Sequence, residues 1–208
     1  MLEIHLSLVL ILIINIFTSI LGFKNQSFFN KYKFQIGKIK SGENFRLLTS
    51  GFLHVNFNHL LINMLSLYFF TGYIVYSLGE LKFLAIYFSS LFLGNYLSLK
   101  FHEEQNDYTA VGASGAVSGV VYSAVLLYPD MKMAFLLLPI PLPGYIIATL
   151  YLIYTIYGMK KQNDNIGHTA HFGGAISGII STVAFFPSVI KTSSFTIGIL
   201  SLTIVVTG

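Results

Sequence analysis

The stretch Ala110–Val125, AVGASGAVSGVVYSAV, decides how the chain is read. It carries no charge and is apolar enough to lie in a bilayer. Yet Ser114 stands in it, between Gly112-Ala113 and Gly115. A serine in that setting is either a small packing residue or a nucleophile held where water is scarce. Gly115 and Gly119 are four residues apart and give a small-xxx-small helix face, which favours close packing. The segment is not the nucleophile elbow of soluble hydrolases. That turn needs Gly-x-Ser-x-Gly, and Ala116 occupies its last place.

The rest of the chain has the same solvent preference. Of 208 residues, 54% are hydrophobic and 10% charged, against roughly 25% charged in a soluble domain. Such a chain cannot cover a water-facing surface, and the bilayer is its expected partner. Its length suits one domain over 1–208, with a core over about 40–187. There is no cysteine, which excludes disulfides, cysteine nucleophiles and thiolate metal sites. The net charge of +4 is modest, and its basic residues flank apolar runs. They suit anionic headgroups and give no nucleic-acid signature.

A membrane helix needs roughly 20 mostly apolar residues. Six segments qualify: about Ile4–Phe23, His59–Leu78, Phe83–Leu99, Gly112–Tyr128, Gly144–Tyr157 and Gly167–Phe186. The fifth extends backwards on this reading through the turn PIPLPG. The first lacks a basic flank and a small-residue cleavage site, so it reads as a retained span. A last run, Phe195–Val206, is short for a crossing and reads as a partial seventh helix. The expected fold is therefore an all-α, polytopic membrane helical bundle. The connection Lys24–Asn58 is long, aromatic and basic, and it suits the membrane surface.

Successive helices alternate in direction, so spans two, four and six start on the same face. Near those starts lie His59 and Asn63, then Ser114, then His168 and His171. Three polar clusters, distant in sequence, thus fall at a similar depth. A membrane interior penalises polar groups unless they pair or work. His171 precedes Gly174 and Gly178, a second small face. Two such helices can approach closely enough for Ser114 and His171 to meet. A neutral imidazole could then take the serine proton and return it to a leaving amine. The bland alternative is a buried histidine bonded to nearby backbone. His59 and Asn63 are four apart and share a helix face. They suit either oxyanion stabilisation or a helix cap with an interhelical amide contact.

The negatives narrow the chemistry. All eight carboxylates lie outside the spans or at their margins. An aspartyl protease would need two membrane aspartates, and a Ser-His dyad is expected in place of a triad. The HExxH zinc motif is absent. The pairs His54/His59 and His168/His171 lack the Cys or carboxylate partners of a usual metal site.

Taken together, these residues resemble the rhomboid family of intramembrane serine proteases, across about Phe45–Gly178. FRLLTSGFLHVNFNHLLINM (45–64) resembles the family's first loop and second helix, GASG (112–115) its nucleophile motif, and AHFGGAISG (170–178) its sixth-helix motif. The resemblance implies Ser114 as nucleophile and His171 as general base. It implies His59, Asn63 and the Ser114 amide as oxyanion donors, and Arg46, Gly112 and Gly115 as support. It implies single-span membrane proteins as substrates, and no cofactor or metal. The sequence departs from the family at Phe45, where tryptophan is common, and at Ser118. Members often carry an aromatic at the latter position, beneath the catalytic histidine, and Tyr122 is the nearest substitute.

By the resemblance, the protein sits in a bacterial cell membrane with its site opening outward. The charges pull the other way. Nine Lys/Arg (Lys24, Lys31, Lys33, Lys38, Lys40, Arg46, Lys100, Lys160, Lys161) fall on the site's face and three (Lys82, Lys132, Lys191) on the opposite one. The positive-inside rule favours the reverse of the family arrangement. Two rival functions remain. A catalytically inactive relative that binds and escorts membrane helices would not need both Ser114 and His171. A transporter would place ionisable groups around a mid-membrane cavity.

Overall fold

The computed structural model describes residues 5–135, 138–162 and 166–207. Seven long helices organise it, here numbered α1 (Leu6–Lys24), α2 (Phe57–Leu78), α3 (Glu80–Phe101), α4 (Ser114–Leu127), α5 (Gly144–Lys161), α6 (His168–Phe185) and α7 (Ser194–Thr207). They form a polytopic helical bundle of the expected kind. The expected start of the first span, Ile4, lies outside the described residues. α1 and α2 are each long and apolar enough to cross a bilayer. The other helices are shorter or, like α3 with Glu80, Lys82 and Lys100, carry more charge.

Local chemistry sets the helix ends. The Glu80 carboxylate accepts from the amides of Leu6 (3.3 Å) and Ser7 (3.0 Å) at the start of α1. A negative charge there satisfies orphan donors and suits the helix dipole. Asn56 caps α2 by accepting from the His59 amide at 2.9 Å, as an N-cap side chain does. Gly79 alone separates α2 from α3. Its φ of 84° is open to glycine at little cost, so the chain reverses within one residue.

Glycine also sets how closely the central helices pack. A Cβ built on Gly174 of α6 would overlap the backbone carbonyl of Gly115 in α4. One built on Gly178 would overlap that of Gly119. The two small faces expected from the sequence therefore meet each other directly. α3 closes on both, with Gly94 against the Ala170 backbone and Ser90 against Gly119. Hydroxyls bridge the remaining seams. Ser123 donates to the Gly178 carbonyl at 3.1 Å, and Asn15 of α1 donates to the Tyr87 hydroxyl at 3.2 Å. Such bonds act as polar glue where hydrophobicity alone does not hold helices together. Leu60, Leu67, Ile74, Phe83, Ile86, Tyr87, Ala116 and Val120 fill the space between α2, α3 and α4.

One expectation changes. The backward extension of the fifth span is not helical. Leu138–Pro143 is a strand, paired antiparallel with Lys132–Phe135, with Lys132 opposite Pro143 and Met133 opposite Leu142. Pro139, Pro141 and Pro143 lack the amide hydrogens that a helix interior needs. The last run is the short helix expected, α7, of 14 residues. At about 1.5 Å per residue it is shorter than a typical bilayer core. The long connection is folded as well. It contains short helices at Gln26–Tyr32, Ile36–Lys40 and Arg46–Thr49, a 3₁₀ turn at Ser50–Phe52 and a strand at Phe34–Gln35.

Candidate active site

Ser114 is the first residue of α4, and the segment before it is held from several sides. Phe34 and Gln35 pair with Ala110 and Thr109, which ties the long connection to the approach to α4. Gly112 donates to the Ser50 carbonyl at 3.0 Å with φ +130°. A side chain there would also meet the His59 ring, whose Cε1 lies 2.6 Å from the Cβ position. Gly112 is thus required both for its backbone conformation and for the space it leaves.

His54 fixes the next residue. The Ala113 amide donates to His54 Nε2 at 3.4 Å, and Nδ1 lies 2.9 Å from Ser19 Oγ of α1. An amide can only donate, so Nε2 accepts and Nδ1 carries the proton. Ser19 in turn donates to the Phe52 carbonyl at 3.1 Å. Burial, and then the neighbouring His59, lower the His54 pKa to about 3. The ring is therefore a neutral strut across the physiological range. Arg46 serves the connection itself. Its buried guanidinium donates to the Asn30 and Lys33 carbonyls at 2.9 and 2.7 Å and pairs with Glu43 at 2.6 Å.

Across the α4–α6 contact, His171 Nε2 lies 2.6 Å from Ser114 Oγ. Here the structure brings together two residues singled out in sequence. His171 is buried and Ser114 is partly open, and both line one cavity with His59, Asn63 and Tyr151. The other imidazole nitrogen, Nδ1, is 2.9 Å from the Tyr151 hydroxyl of α5. Asn63 donates one amide hydrogen to the His59 carbonyl at 2.9 Å, leaving its second hydrogen for the cavity. The His59 ring packs edge-on against His54, with centroids 4.9 Å apart.

Three more side chains complete the surroundings. His168 is buried at 4% exposure. It fits the notch left by Gly158 of α5 and lies edge-on to Tyr154 at 5.0 Å. The end of α5 runs beside the start of α6, and glycine makes room for the ring. Tyr122 does not support His171. Its hydroxyl donates to the Ala148 carbonyl at 2.7 Å and latches α4 to α5. Ser118 donates back to the Ser114 carbonyl at 2.9 Å. The residue that sequence reading missed is Tyr151. The only signal for it was the Tyr151–Tyr154 spacing, which puts two tyrosines on one face of α5. Among the described residues, no group of three acidic, histidine or cysteine side chains could hold a metal.

A helical membrane bundle with a serine hydroxyl on an imidazole, beneath a folded first loop, defines a recognisable class. The chain matches the rhomboid domain over residues 41–188, and it belongs to the rhomboid family. It is 32% identical over 144 residues to "Putative rhomboid protease YdcA" of Bacillus subtilis (strain 168), covering 68% of this chain and 67% of that one. It is 27% identical over 168 residues to "RHOMBOID-like protein 12, mitochondrial" of Arabidopsis thaliana, covering 74% of this chain and 50% of the relative. Identity to "Rhomboid protein 1, mitochondrial" of Saccharomyces cerevisiae is 28%, over 64% of this chain and 40% of the relative. The chain thus spans half or less of the length of the mitochondrial relatives it matches. Bacterial and mitochondrial proteins both match, so the comparisons give no ground for the expected bacterial membrane.

Proposed function

We propose that the protein is an intramembrane serine endopeptidase that cleaves the membrane helices of single-span proteins. One observation carries the reading: the 2.6 Å approach of His171 Nε2 to Ser114 Oγ, on helices whose backbones touch. In the reaction, Ser114 Oγ attacks the scissile carbonyl carbon while Nε2 takes its proton. The imidazolium then protonates the leaving amine, and an ester links the acyl group to Ser114. A water, activated by the same nitrogen, hydrolyses that ester.

The developing oxyanion needs donors already in place. Val117 is the amide that closes the first helical bond of α4, onto the Ala113 carbonyl at 2.9 Å. The amides of Ser114 and Gly115 precede it and head the helix, where the dipole favours negative charge. The second Asn63 hydrogen and the His59 ring supply side-chain donors from α2. The cavity continues between α2 and α5, past Phe69 and Tyr73 on one wall and Ile147 on the other. That apolar groove suits an unwinding helix, since exposed backbone needs polar partners that the site provides.

The test uses a purified, reconstituted protein and a single-span model substrate. Ser114→Ala and His171→Ala are each expected to remove nearly all cleavage. The double variant should be little worse than either single one, because residues acting as a unit are strongly non-additive. Labelling by a serine-directed fluorophosphonate should disappear in Ser114→Ala. Full cleavage by folded Ser114→Ala protein defeats the proposal. Helix binding without cleavage by the unaltered chain would favour the inactive escort reading.

A further inference from the structure

We propose that Tyr151 is a positioning residue for His171, its hydroxyl selecting the imidazole tautomer that can take the serine proton. The inference rests on the Ser114–His171 reading above. For Ser114 to donate to His171, Nε2 must carry the lone pair, so Nδ1 must carry the hydrogen. Nδ1–H then needs an acceptor, and the Tyr151 oxygen stands 2.9 Å away. In a triad a carboxylate fills this place, but all eight carboxylates of this chain lie outside the spans or at their margins.

A phenol oxygen that accepts from Nδ1–H leaves the imidazole lone pair on Nε2, where Ser114 Oγ stands 2.6 Å away. Ser118 turns its hydroxyl to the Ser114 carbonyl at 2.9 Å. The tyrosine ring adds a second restraint. It lies 6.1 Å from the imidazole with 29° between planes, which limits rotation about the His171 side chain.

The small side chain at Ser118 fits this arrangement. It leaves α5 free to bring Tyr151 beneath the imidazole, so support for the base comes from α5. The other titratable rings nearby are His168, at 6.3 Å from His171 by centroids, and Tyr154, at 6.4 Å from Tyr151 and 5.0 Å from His168.

The test compares the unaltered protein with Tyr151→Phe, which keeps the ring and removes the hydroxyl. In Tyr151→Phe, kcat should fall about 10- to 100-fold, within the range of a misplaced general base, with KM nearly unchanged. The second readout is ¹⁵N NMR of histidine-labelled protein near pH 8, with His171→Gln assigning the signal. The unaltered protein should show the Nδ1–H form, and Tyr151→Phe a mixture. An unchanged tautomer in Tyr151→Phe overturns the inference, and so does an unchanged kcat. The tautomer measurement decides it even if Ser114→Ala were to show that the chain is no protease, so the two failures are distinguishable.

Discussion

Replacing Gly174 by alanine adds one methyl at the point where α6 meets α4. The new Cβ would overlap the Gly115 carbonyl oxygen and sit 2.7 Å from its carbon and 3.1 Å from its Cα. All three are backbone atoms, so no rotamer change can relieve the contact. Ordinary van der Waals separation begins at 3.4 Å. The carbon contact is thus about 0.7 Å too short, and relief requires the two helix axes to part by a comparable amount. Gly115 adjoins Ser114 in sequence, and His171 is less than one turn from Gly174. Most of the displacement must therefore appear between Oγ and Nε2. A shift of about 1 Å at reacting atoms can cost roughly 10²-fold in rate, and overpacking a tight interior costs about 1–3 kcal/mol. Gly174→Ala is expected to lose about 10- to 100-fold in kcat and to unfold at a lower temperature. Cleavage of a single-span substrate in liposomes gives the first quantity, and thermal unfolding in detergent gives the second. Gly198→Ala on α7 is the control, because nothing lies within 4 Å of its added carbon. Gly174→Ala protein with unaltered kcat and unfolding temperature would refute the claim that backbone contact sets the dyad distance.

Asn63→Ala should lower turnover by roughly 10²-fold or less, because it removes one oxyanion donor among several. A change confined to KM would recast Asn63 as a substrate contact. His54 makes stability depend on pH. Its folded pKa, about 3, lies below the ordinary 6.5, so the unfolded chain binds the extra proton. Stability is then fully present above about pH 6.5 and falls as pH drops towards 3, by up to about 1.4 kcal/mol per unit. His54→Gln should flatten that slope by one proton's share in acid-titrated thermal unfolding, and an unaltered slope would remove His54 as its source.

The bundle was legible because membrane helices announce themselves by composition and because small residues at four-residue spacing mark their contacts. Gly115, Gly119, Gly174 and Gly178 gave the α4–α6 contact, and with it the meeting of Ser114 and His171. Depth on a shared face grouped His59 and Asn63 with them. Rotational position about a helix axis was harder to read. Nothing in the pattern of α5 said that Tyr151, and not Tyr122 of α4, would face His171. Both are large amphipathic rings, and either hydroxyl can find a partner in an apolar bundle. The burial of His168 was hidden for a related reason. The room that buries it is a missing side chain, Gly158, on another helix. The PIPLPG segment carried its own warning in its alternating prolines, which suit an extended strand and not a helix.

The glycine contact has a consequence for how the protein can vary over generations. No residue is smaller than glycine, so Gly174 has no conservative replacement, and every mutation there adds atoms against backbone that cannot yield. The spacing of Ser114 and His171 is an evolutionary dead end, open to change only through concerted alterations on two helices. The support beneath the imidazole is under no such restriction. Here Tyr151 reaches it from α5, and a ring from another helix could fill the same place. Drift should accumulate around His171 while the seam between α4 and α6 stays fixed.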